Sequence, residues 1–148
     1  MLRFPFLLLP LLALAGAATA ADPPAPPFGR WRIMAITNGE GGISALSDEE
    51  ARSFIGRRFV VAPKRVESPF FEEACEAPEF ETRRESKAEY YIGDFRQAPP
   101  PEIDRTVDTM AVTEVYCDDE MFIQFVAAGN KLLTVFDGTF FLLEPLKQ

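Results

Sequence analysis

Apolar and polar residues alternate with a period of two over residues 30–37. Trp31, Ile33, Ala35 and Thr37 fall on one side, and Arg32, Met34 and Ile36 on the other. Successive side chains of a strand point to opposite faces, so this pattern predicts a first strand. Asn38-Gly39-Glu40-Gly41-Gly42 ends it, since three glycines over so short a span favour a loop. Ser47-Asp48-Glu49-Glu50 then has the form of a capping box, in which Ser47 accepts from the Glu50 amide and the Glu50 carboxylate reaches back to the Ser47 amide. It predicts a short helix over 48–55, with Ala51, Phe54 and Ile55 inward, acidic residues in the first turn to suit the helix dipole, and Gly56 as the stop.

Residues 57–62 alternate again, Phe59 and Val61 against Arg58 and Val60, and Pro63 ends this second strand. Short extended pieces are expected at 64–67, 70–75 and 79–83, followed by a charged surface turn, Arg83-Arg84-Glu85-Ser86-Lys87. Residues 90–95, Tyr90-Tyr91-Ile92-Gly93-Asp94-Phe95, read as a strand or the edge of one. Pro99-Pro100-Pro101 is a rigid break, and the polar segment to Asp108 reads as a long loop or a single helical turn. The C-terminal third carries the clearest signal: apolar runs of strand length at 110–118, 121–127, 131–136 and 139–144. They are joined by Asp118-Asp119-Glu120, Ala128-Gly129-Asn130 and Asp137-Gly138. Asp-Gly between two such runs predicts a hairpin, because a type I′ turn needs positive φ at both central residues. Large side chains lie on both faces of this meander, Met121, Ile123 and Phe125 on one and Phe122 and Val126 on the other. Sheets facing water on one side usually show a polar face, so these strands are either covered twice or present a binding surface.

The first residues change the picture from a fold to a location. Arg3 precedes an apolar stretch, Phe4 to Ala15, which gives way to Gly16-Ala17-Ala18-Thr19-Ala20-Ala21. Ala18-Thr19-Ala20 is an A-x-A site, so residues 1–20 read as a secretory signal peptide, with Ala21 as the new N-terminus and the periplasm or the exterior as the destination. The competing reading is a retained anchor, because Phe4 to Ala21 reaches about 18 uncharged residues, the lower edge of spanning length. Two prolines, the small-residue tail and Asp22-Pro23 favour cleavage, and no Cys stands at the cut to carry a lipid. The chain then divides into the signal peptide, a proline-rich lead over 21–28, expected to be extended and mobile, and one β-rich domain over 29–148. No membrane association is expected after cleavage.

Composition narrows function mainly by exclusion. The net charge is −8, and loss of Arg3 with the leader makes it more negative, which disfavours nucleic acid and anionic membranes as partners. The chain has no His, which removes the usual general base, the usual partner of a Ser or Cys nucleophile and the commonest metal ligand. Carboxylate-only chemistry stays open; the expectation is a non-catalytic protein without cofactor or metal. Cys75 and Cys117 are the only cysteines, and in an exported chain they suggest one intramolecular disulfide, against two free thiols or an intermolecular bridge. Closing that loop would stabilise by up to roughly 4 kcal/mol. A bridge would also bring Glu72, Glu73, Glu76, Glu79 and Glu81 towards Asp118, Asp119 and Glu120. Such a cluster reads as a cation site, a docking face for a basic protein, or solvated carboxylates; no EF-hand spacing is present.

Gly29-Arg30-Trp31 at the start of the first strand resembles the G-x-W element of the lipocalin and wider calycin group, with Lys147 after the last strand roughly where a basic residue packs over the Trp ring. The middle lipocalin motif is absent, and Lys stands where Arg is usual. The resemblance implies a small antiparallel β-barrel with one short helix; a generic antiparallel barrel or an α+β sheet is the alternative. The chain is also similar to a set of small exported bacterial proteins sharing the G-x-W start, an L-S-x-x-E-A helix ending in Gly (Leu46 to Gly56), a Cys-x-x-Pro (Cys75 to Pro78) and a late Cys before a D-G hairpin. That similarity supports the Cys75–Cys117 pair and says nothing about a ligand.

Two functions follow as expectations. One is a binding module, a barrel holding a small apolar ligand in a cavity of several hundred Å³, with Trp31, Tyr90, Tyr91, Phe95, Phe125 and Phe136 as its lining. The other is a protein-interaction module, such as an inhibitor of a basic cell-wall hydrolase like lysozyme. Its motivation is the acidic charge and Glu114-Val115-Tyr116-Cys117-Asp118, which is loosely similar to small periplasmic lysozyme inhibitors.

Overall fold

The structure, a computed structural model, describes residues 22–103 and 106–147. The expected signal peptide lies outside the described residues. The chain is mainly β: eight antiparallel strands form one curled sheet, in the order β3-β2-β1-β8-β7-β6-β5-β4. The strands are β1 Gly29–Ile36, β2 Arg58–Ala62, β3 Arg65–Glu67, β4 Glu79–Ser86, β5 Thr109–Cys117, β6 Glu120–Ala128, β7 Lys131–Phe136 and β8 Thr139–Pro145. Because β1 pairs with β8, this is the order of an up-and-down barrel left open at one seam, between β3 and β4.

The turns explain why the meander closes as it does. Asp137 and Gly138 both have positive φ, 47° and 80°, as a type I′ turn between Phe136 and Thr139 requires. Asp118 and Asp119 do the same between β5 and β6, at 53° and 65°. Gly138 has a second reason to be glycine: a Cβ there would overlap the carbonyl of Ile43, which crosses the turn.

Two devices span the seam. Val66 of β3 and Cys75 exchange two backbone hydrogen bonds of 2.9 Å, and Cys75 is disulfide-bonded to Cys117 at the end of β5, with their Cα atoms 5.8 Å apart. The proline-rich lead has no regular structure but its end is held rather than loose. Phe28 packs edge-on against Phe80 of β4 at 5.2 Å, and Pro27 accepts a 3.0 Å hydrogen bond from Trp31 Nε1.

The curl separates two apolar faces. One cluster joins Val66, near one end of the sheet, to Val115, near the other, with Ile33, Phe59, Phe125 and Phe141 between them, so it fills the concave side. The second joins Met110, Val112, Val126, Leu133, Phe140 and Leu142 on the convex side. Phe140-Phe141-Leu142-Leu143 of β8 alternates between the two, which is why all four of these positions are apolar.

The capping-box helix forms as α1, Asp48–Ser53, with Ser47 and Glu50 in the reciprocal arrangement. Phe54 packs into the concave core and Gly56 takes φ 86° at the exit, whereas Ile55, expected inward, is exposed. Three expectations need correction. A register shift between Ile33 and Ala35 breaks the alternation of β1, so Trp31 and Ile33 face the concave core while Ala35 joins the convex one. Residues 83–86, expected as a turn, continue β4 opposite β5. Residues 90–95 are not a strand: Ala88–Asp94 is a π-helix lying on the convex face. Neighbouring Tyr90 and Tyr91 are both buried, and adjacent residues of a strand cannot share a face, whereas adjacent residues of a helix can.

Candidate binding site

The concave interior is filled by rings. Phe70 stacks on Phe136 at 4.5 Å, Phe54 meets Phe70 at 4.9 Å, and Phe59 meets Phe70 at 5.4 Å and Phe125 at 5.8 Å. Edge-to-face and stacked contacts at such distances are favourable aromatic packing, and they use the space a ligand would need. The six residues expected to line one pocket therefore divide between two faces. Trp31, Phe125 and Phe136 belong to the concave core. Tyr90, Tyr91 and Phe95 lie on the convex side around Phe140. The sheet stands between the two sets. Lys147 is exposed, and the cation–ring contact among the described residues is Arg57 over Phe54, at 5.5 Å.

The convex face holds the more open site. The π-helix enters directly from β4, and the Lys87 backbone N–H donates to the Asp108 carbonyl at 3.0 Å, which ties the start of the helix to the segment entering β5. Tyr90 donates to Gln124 Oε1 of β6 at 2.9 Å and sets the helix on the sheet. At the other end, Gly39 N–H donates to Gln97 Oε1 at 2.9 Å and Ala98 N–H to the Glu40 carbonyl at 3.0 Å. A Cβ at Gly39 would overlap the Ala98 carbonyl, so only glycine lets these loops approach. Between the helix and the chain returning to β5 is a cleft of about 350 Å³, walled by Ala88, Ile92, Pro99, Ile103 and Val107, with Ser86, Lys87 and Asp108 as its polar lining. Ile92 and Val107 are 61% and 49% exposed, so the rim itself is apolar. A second opening of about 220 Å³ shares Lys87, Ile103 and Val107 and continues towards Met110 and the Ala127-Ala128-Gly129 turn.

Two polar atoms here are buried with no hydrogen-bond partner among the described residues, Lys87 Nζ and Tyr91 Oη. Burial pushes the Tyr91 hydroxyl well above the usual tyrosine range, and the Glu102 carboxylate adds to it. Tyr90 is raised by burial first and then by Tyr91, Glu85, Asp94 and Glu114. Both phenols are thus held neutral. Further along the convex face the sheet turns polar. Arg83 bridges Glu85 and Glu114, each at 2.9 Å, and Tyr116 donates to Glu114 at 2.8 Å.

At the seam, the disulfide brings the two acidic stretches to one end of the sheet, where Arg65 pairs with both Glu67 and Glu76. Among the described residues no group of three or more His, Cys, Asp or Glu is placed to hold a metal ion, and no helix is long and apolar enough to cross a membrane. Lys87, Ile92, Ile103 and Val107 were not legible as site residues. Lys87 closes a run of charges that resembles a surface turn, and the one available hint is the Tyr90-Tyr91 pair, whose placement together on one face of the sheet a helix allows and a strand does not. Comparison with protein-family models, with curated proteins and with solved structures gives no significant match.

Proposed function

We propose that this chain is an exported, non-catalytic binding protein of calycin-like build that takes a small apolar molecule in the cleft beside the π-helix. The observation that carries this reading is the cleft itself: about 350 Å³, walled chiefly by aliphatic side chains and rimmed by exposed Ile92 and Val107. Soluble proteins rarely leave such concave apolar surface without a use, and the volume lies at the small end of ligand pockets. The ring order of the sheet supports the calycin resemblance, and the leader over 1–20 supports export. The seat differs from the barrel interior, which Phe rings occupy.

Titration with Nile red, an uncharged apolar dye whose emission shifts on leaving water, tests the reading. Saturable binding is expected, weakened about tenfold or more by Ile92→Asp, since a rim carboxylate opposes apolar contact. Met121→Asp, an exposed position on β6 away from the cleft, should leave it unchanged. No saturable binding, or equal binding by the Ile92 and Met121 variants, overturns the proposal.

A second reading is favoured by the seam end, where exposed Phe71 and Met121 stand among acidic residues. There the protein would dock a basic protein such as lysozyme. Retention on immobilised lysozyme at low salt, lost as salt rises, is its expected signature; no retention at low salt removes it.

A further inference from the structure

Lys87 is nine-tenths buried, and its ammonium has no hydrogen-bond or ion-pair partner among the described residues. It stands where the two openings of the convex face meet, and it lines both. A lysine ammonium carries three donors and is costly to strip of water without replacement. Its nearest chain neighbours do not supply one. The Asp108 carbonyl is taken by the Lys87 backbone N–H, and the exposed Asp108 carboxylate makes no ion pair with it. Arg84, which lines the second opening, adds a like charge rather than a partner.

We infer that Lys87 is the anion anchor of this cleft, and that the ligand is a single-chain amphiphile ending in a carboxylate, a medium-chain alkyl acid in chemical class. The inference rests on the apolar-ligand reading above and deepens it. The aliphatic wall of Ile103, Val107, Ile92 and Pro99 takes the hydrocarbon, and the buried ammonium takes the head. One point charge on a flexible stem matches a monoanion. A phosphate or sulfate would bring more acceptors and charge than one buried lysine can satisfy. The two openings share Lys87, Ile103 and Val107, so the chain can run from the head along either wall. A cleft near the lower limit of ligand pockets selects a chain of medium rather than long reach. The π-helix supplies the geometry: it turns directly out of β4 at Lys87 and carries Ile92 to the rim, and such wide turns are frequent at functional sites.

The test compares decanoate with decanol, which has the same chain and no charge, by displacement of Nile red from the full-length exported protein. Decanoate is expected to bind at least about tenfold tighter than decanol, as a charge-assisted hydrogen bond to a buried partner allows. Lys87→Met should bring that ratio to about one, and a cooperative unfolding transition on denaturant titration reports that the variant is folded. Val107→Asp, a rim change that leaves Lys87 in place, should weaken decanoate more than decanol. If Nile red and decanol bind but decanoate has no advantage, or if Lys87→Met keeps the advantage, the anchor is wrong and the apolar reading stands. If none of the three probes binds, both fall together.

Discussion

The two faces of the same sheet solve opposite problems with similar residues. On the concave face, Phe54, Phe59, Phe70, Phe125, Phe136 and Phe141 close on one another, and strand pairing, α1 and the disulfide hold the wall around them. On the convex face, Tyr90, Tyr91, Phe95 and Phe140 also form a ring cluster, but their cover is one short π-helix and a loop. That cover leaves a cleft, an apolar rim and two buried polar atoms without partners among the described residues. The difference lies in what each face has to exclude. An interior closed by a curled sheet can be filled completely by its own side chains. A helix laid across the outside touches the sheet along one line and leaves space on its flank. In this molecule the open space lies in the outer dressing of the sheet and not in its interior.

Removing equally buried side chains from the two faces should separate them most. Phe125→Ala should cost about 3–5 kcal/mol, because the ring is 1% exposed and its neighbours cannot collapse into the gap. Ile103→Ala, at 3% exposure on the convex side, should lie near the bottom of the usual range, about 2 kcal/mol, since the adjoining cleft lets the loop settle. Denaturant titrations of both variants give the order. If Ile103→Ala costs as much as Phe125→Ala, the convex cover is as tightly packed as the interior, and the cleft is no weak point.

Lys87→Met reverses the sign. On the concave face any change away from the native apolar residue should destabilise. Replacing a buried, unpaired ammonium by a side chain of similar shape should instead stabilise the unliganded protein, by about 1–3 kcal/mol. On the anchor proposed above, the protein accepts lower stability for a binding group, a familiar trade at functional sites. The check is the denaturation midpoint without ligand. A loss of stability would mean that the ammonium is held by a group of the free protein, and the two faces would then be alike in their polar satisfaction.

How far the sequence reveals these two faces depends on how local the signal is. The meander was legible because turn chemistry is local: Asp137-Gly138 can adopt positive φ at both positions, and the runs beside it have strand length. The capping box was legible for the same reason. β4 was cut short because an edge strand carrying Arg83, Arg84 and Glu85 has the polarity of a turn, and only its pairing with β5 shows otherwise. The bulge at Met34 moved Ala35 to the convex face, which simple alternation cannot foresee. The site was the least legible part. Burial of Lys87 depends on where the π-helix and Pro99, Ile103 and Val107 settle over the sheet, and nothing in a run of charges distinguishes a solvated lysine from an enclosed one. The expected aromatic lining failed as a single site for a related reason: ring content says which residues pack, not on which side of a sheet.

The smallest expected effect lies where the convex face becomes polar. Burial alone would raise the Glu114 carboxyl, but the hydrogen bonds from Arg83 and Tyr116 outweigh it and hold the group below the usual carboxylate range. A carboxyl depressed in the folded state contributes stability that is present above its unfolded value, about 4.3, and lost as pH falls through the folded one. Glu114→Gln should therefore lower stability at neutral pH, by a few tenths to about 1 kcal/mol, because solvent screens a half-exposed Arg83. Once the pH has fallen below the depressed folded-state value, the wild type has lost the same contribution and the two curves should merge. Thermal melts of the pair across this range provide the measurement. A difference that persists unchanged into acid would trace the loss to side-chain packing on β5 rather than to charge, and the outer face would then be held by apolar contact along its whole length, as the inner one is.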